Sequence, residues 1–94
     1  ARSLYGELAE LAGPEKLVAR GRAYLTEGKP VESLHFSEIV LEADPNSRSA
    51  LELHRDALEE LLARARKGHQ NAFELGWLGS RLGEIRARLE LAAP

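Results

Sequence analysis

The sequence predicts an all-α fold: an antiparallel bundle of four to five helices with one tetratricopeptide-like helix–turn–helix unit. Three observations carry this expectation. Ala, Leu, Glu and Arg dominate the chain, and all four are strong helix formers. No run of alternating β-branched residues is long enough for a strand. Glycine and proline punctuate the chain at helical intervals.

The elements follow in order. Ser3 can cap a short helix over roughly Leu4 to Ala12, ended by Gly13. Pro14 suits a first helical turn and Glu15 suits its positive end, so a helix runs to about Thr26, with Gly28 as the stop. Pro30 opens the next, which continues to about Ala43. One narrow polar strip lies on it, His35, Glu38 and Glu42, between two apolar or small flanks, and such a helix is covered on two sides. Asp44-Pro45-Asn46-Ser47 is a break that ends in a capping residue. A long helix to about Lys67 sets Leu51, Leu58, Leu61, Leu62 and Ala65 on one face, and Gly68 ends it. Asn71 and Glu74 have the spacing of a capping box for a final helix to about Ala92.

Leu17, Gly21, Tyr24, Gly28 and Pro45 fall at the spacing of a tetratricopeptide unit, with Ser33 where alanine is usual and Ser37 where phenylalanine is usual. A second copy fails, because Leu62 stands where the next turn glycine is needed.

The final helix carries two stripes. Leu75, Leu78, Leu82, Ile85 and Leu89 form a seam at spacings of three and four. Beside it run Gly76, Gly79, Ser80, Gly83 and Ala87, small residues that let another backbone approach. Each mid-helix glycine costs about 1 kcal/mol relative to alanine. Phe73 and Trp77 add apolar area on adjoining faces. Two readings stay open: both stripes pack inside the bundle, or one meets a partner. In the second reading the interface residues are Phe73, Gly76, Trp77, Gly79, Ser80, Gly83 and Ala87.

Chemistry is hard to place in this chain. The 94 residues hold 13 basic and 15 acidic side chains with no long block of one sign, against a nucleic-acid surface. There is no cysteine, which removes disulfides, thiolate metal sites and a Cys nucleophile. No apolar run approaches the length of a membrane span. Glu32-Ser33-Leu34-His35 matches the Glu-x-x-His element of di-iron bundles, but the second such motif that chemistry needs is missing. His54 lies between Leu51 and Leu58 on the apolar face of the long helix and reads as a hydrogen-bonded core or boundary residue; His69 reads as surface. No phosphate loop, nucleophile elbow or His-Glu-x-x-His pattern is present. The expectation is a chain with no catalytic, cofactor or metal site of its own, in a cytosolic setting. Beginning at Ala1 with no methionine, it reads as a single interaction domain over residues 1–94, excised from a longer protein.

Gly13-Pro14-Glu15-Lys16-Leu17, Ala19-Arg20, Gly28, Ala43-Asp44-Pro45-Asn46 and Ala50 resemble the alkyl sulfatase dimerisation domain. Asn71-Ala72-Phe73-Glu74-Leu75-Gly76-Trp77-Leu78 is similar to the version found in a shorter branch of such hydrolases. The resemblance spans roughly residues 13 to 90 and departs from the long-form pattern at Gly79-Ser80-Arg81-Leu82-Gly83-Glu84. It implies a helical domain that follows a zinc-dependent metallo-β-lactamase-fold catalytic domain and forms much of a homodimer interface or packs on that domain. The zinc and its ligands would belong to the preceding domain, so no catalytic residue carries over. The alternative is a free-standing tetratricopeptide-like adaptor that binds a peptide or protein partner.

Overall fold

The computed structural model describes residues 13–68 and 72–92. The helix expected before Gly13, His69 and the Asn71 cap lie outside the described residues, as do the side chains of Ala72, Phe73 and Ala92. The described chain forms α1 (Pro14–Thr26), α2 (Pro30–Ala43), α3 (Arg48–Lys67) and α4 (Ala72–Ala92). The fold is all-α, and no strand occurs among the described residues.

Local chemistry sets the helix ends where the sequence places them. Gly13, at φ +88°, precedes Pro14 at the first helical turn. At the other end of α1 the Lys29 amide donates to the Tyr24 carbonyl and the Gly28 amide to Leu25. Gly28 sits at φ +82°, the left-handed residue this C-terminal motif requires. Arg64 donates to the Gly28 carbonyl at 2.9 Å and ties the last turns of α3 to this turn. Between α2 and α3 the Asp44 carboxylate accepts from the Asn46 amide, and the Ser47 hydroxyl accepts from the Ala50 amide as the α3 cap. Arg64, Arg66 and Lys67 complement the negative end of α3.

Each helix packs on the next in sequence, α1 also touches α3, and short connections make the neighbours antiparallel. Among the described residues α4 makes no close backbone approach to α1 or α2. α3 is therefore the central element. It is buried on more than the one face read from its sequence: Leu51, His54, Leu58, Leu62 and Ala65 are buried on that face, and so, beyond it, are Ala50, Leu53 and Ala57. Leu51, Leu58 and Leu62 meet Leu82, Ile85 and Leu89 of α4 in one cluster, joined by Leu34, Leu41, Leu75 and Leu78. Burying a leucine side chain contributes roughly 2 kcal/mol, so this cluster holds α4 to the rest.

α1 and α2 meet around Gly21. A Cβ there would stand 2.5 Å from Leu53 Cδ2 and 3.2 Å from Phe36 Cβ, so only glycine allows this approach unstrained. Tyr24 and Phe36 stack beside it with centroids 5.5 Å apart. α2 is covered on both flanks, with Ser33, Ser37, Ile39 and Val40 buried and His35, Glu38 and Glu42 exposed. The surface carries Arg–Glu pairs at i,i+4, Arg48–Glu52, Arg55–Glu59 and Arg64–Glu60, each contributing only a few tenths of a kcal/mol.

Candidate functional site

Two regions stand apart from the packing just described: the outer face of α4, and a cleft between α2 and α4 above α3.

The leucine seam of α4 turns inward, with Leu82, Ile85 and Leu89 buried and Leu75 and Leu78 partly so. The small-residue stripe turns outward. Gly76, Gly79, Ser80, Gly83 and Ala87 are all exposed, and a Cβ at any of the three glycines would meet nothing within 4 Å. Trp77 is 52% exposed. Of the readings left open by the sequence, packing of both stripes inside the described bundle is thus excluded. Among the described residues nothing requires glycine at those positions, and nothing there offsets their cost of about 1 kcal/mol each. The Phe73 side chain lies outside the described residues.

The cleft arises because α2 and α4 both rest on α3 without closing on each other. Its volume is about 380 Å³. Glu38, Leu41 and Glu42 line it from α2, Pro45 from the following turn, His54 from α3, and Arg81, Ile85 and Arg88 from α4. Arg88 also donates to the Pro45 carbonyl, and Arg81 pairs with Glu84 at 3.2 Å.

His54 is 2% exposed, and its Nδ1 lies 2.7 Å from Ser37 Oγ. Ser37 Oγ spends its proton on the Leu34 carbonyl at 2.6 Å, so it can only accept from the ring. The proton of the neutral imidazole is therefore on Nδ1, and Nε2 keeps its lone pair. Burial, followed by the Arg81 and Arg88 charges, pushes the pKa of His54 down from 6.5 to about 4. At neutral pH the ring is uncharged. Reading His54 as a hydrogen-bonded core residue agrees with this geometry; its place at the edge of a charged cleft was not legible in the α3 sequence. The signal is divided between Glu38/Glu42 and Arg81/Arg88, on helices separated in the chain by the whole of α3, and only their common seat on α3 joins them.

Among the described residues no three His, Cys, Asp or Glu side chains gather as a metal site. His35 and Glu32 are exposed on α2. No described helix is long and apolar enough to cross a membrane. Compared with protein-family models, with curated proteins and with solved structures, the chain finds no match.

Proposed function

We propose that this chain is a non-catalytic helical dimerisation and interaction domain, of the kind attached to metallo-β-lactamase-fold, alkylsulfatase-like hydrolases. The observation that carries the proposal is the outward glycine face of α4. Gly79, Gly83 and Ala87 are spaced by four, as are Gly76 and Ser80, which makes a shallow groove along the helix. A second copy of α4 laid across it brings backbone to backbone, with Trp77 supplying apolar area at the edge. The resemblance at Gly13–Leu17 and Ala43–Asn46 supports the same reading, and any zinc would then belong to the preceding domain.

The test is light scattering coupled to size exclusion across a concentration series. Self-association is expected, and Gly79→Leu or Gly83→Leu is expected to weaken it, while Arg66→Ala on α3 leaves it unchanged. Leucine is the better helix former, so loss of association in these variants cannot come from an unfolded helix. A chain that is monomeric at the highest concentration overturns the proposal.

One observation favours the alternative, a tetratricopeptide-like adaptor for a peptide or protein partner. Gly21 lets α1 close on α2 at the position where that unit carries its small residue. A monomer that binds a partner through the α1–α2 hairpin, with the α4 face uninvolved, would select the adaptor.

A further inference from the structure

We propose that the cleft over His54 binds a small zwitterionic amino-carboxylate, its carboxylate toward Arg81 and Arg88 and its ammonium toward Glu38 and Glu42. The two walls differ in sign. α2 contributes Glu38 and Glu42, one turn apart; α4 contributes Arg81 and Arg88, two turns apart, with Ile85 between them. Leu41, Ile85 and Pro45 supply apolar surface, and the neutral His54 ring lines the α3 side.

Charge decides the ligand class. A simple cation meets Arg81 and Arg88, and a dianion meets Glu38 and Glu42, each a like-charge contact that disfavours binding. A molecule with one charge of each sign on a short hydrocarbon linker meets an opposite charge at each end. Arg88 remains available for this, because its contact with the Pro45 carbonyl leaves its charge uncancelled. The cleft volume of about 380 Å³ falls within the range of small-molecule sites. A second cleft, lined by Arg48, Arg55 and Arg86, offers less, since all three side chains pair with carboxylates, Glu52, Asp56 and Glu59, whereas in the first cleft Arg81 pairs with Glu84 but Arg88 meets no carboxylate among the described residues. The proposal is independent of self-association, because the α4 glycines lie outside the cleft lining.

The experiment is an NMR titration of the whole chain with 6-aminohexanoate, hexanoate and hexylamine at neutral pH and matched ionic strength. Saturable shifts centred on His54, Ile85 and the Arg81 and Arg88 side chains are expected for 6-aminohexanoate, with binding about tenfold weaker or more for the two single-charge probes. Glu38→Gln with Glu42→Gln, on the exposed strip of α2, is expected to weaken binding by a similar factor, as is Arg81→Gln with Arg88→Gln. Retained spectral dispersion shows that the variants are folded. Nα-acetyl-lysine, with both charges and a blocked amine, separates two sources: equal binding supports a peptide C-terminus, and failure beside bound 6-aminohexanoate supports a free small molecule. Linear shifts matching those from sodium chloride overturn the proposal, as does hexanoate binding as tightly as 6-aminohexanoate.

Discussion

Gly21 and the α4 glycines occupy the same kind of position, the interior of a regular helix, for opposite physical reasons. At Gly21 a Cβ would collide with Leu53 and crowd Phe36. At Gly76, Gly79 and Gly83 it would enter open space. The first glycine is explained within the chain: α1 reaches α2 only because nothing stands between their backbones. The other three have no such explanation within the described fold, and the same composition that marks a tight contact in one place marks an unfilled surface in another. The two regions differ also in polarity. The α1–α2–α3 side buries polar groups, Ser33, Ser37 and His54, whereas α4 buries only its hydrocarbon seam and leaves its small residues to solvent.

The largest expected effect falls on the buried polar side. His54 titrates near 4 when folded and near 6.5 when unfolded, so the unfolded chain binds more protons between those values. Stability attributable to His54 is complete above about pH 6.5 and falls as the pH drops toward 4, by roughly 3 kcal/mol in all. Urea unfolding across that window measures it, and His54→Gln should flatten the slope. A slope equally steep in the variant would place the acid sensitivity elsewhere.

Next comes the glycine contrast itself. Gly21→Val should destabilise by about 2–3 kcal/mol through overpacking against Leu53 and Phe36. Gly79→Ala with Gly83→Ala should instead stabilise the monomer by about 2 kcal/mol, as helix propensity dictates at open positions. Denaturation at low protein concentration reads both. If the α4 pair destabilises, these glycines are sterically required after all and the contrast fails.

A smaller effect concerns Ser33. Its hydroxyl is fully buried and has no hydrogen-bond partner among the described residues. Ser33→Ala should be neutral or stabilising by about 1 kcal/mol, seen as a raised melting temperature. Loss of stability would reveal a partner for that hydroxyl.

Much of this molecule is legible from local chemistry. Gly28 and Pro30 mark the α1–α2 turn, Ser47 marks the start of α3, and the Leu75–Leu89 seam marks the inner face of α4. Each depends on residues within a turn or two of one another, and hydrophobic period and cap spacing report such relations directly. The spacing of Leu51, Leu58, Leu62 and Ala65 predicts one buried face on α3, and the structure buries a second side as well. Its Ala50, Leu53 and Ala57 are buried because α1 and α2 cover that side, and no periodicity within α3 can state how many neighbours it has.

The sequence by itself determined the all-α class, the limits of the described helices, and the presence of two stripes on the last one. These follow from propensity, capping and spacing, which act over a few residues. Only the tertiary structure decided that the leucine stripe faces in and the glycine stripe out, that Gly21 is a contact, and that Glu38, Glu42, Arg81 and Arg88 share one cleft. Those outcomes depend on where helices distant in sequence come to rest against α3, and that is settled by packing across the whole domain.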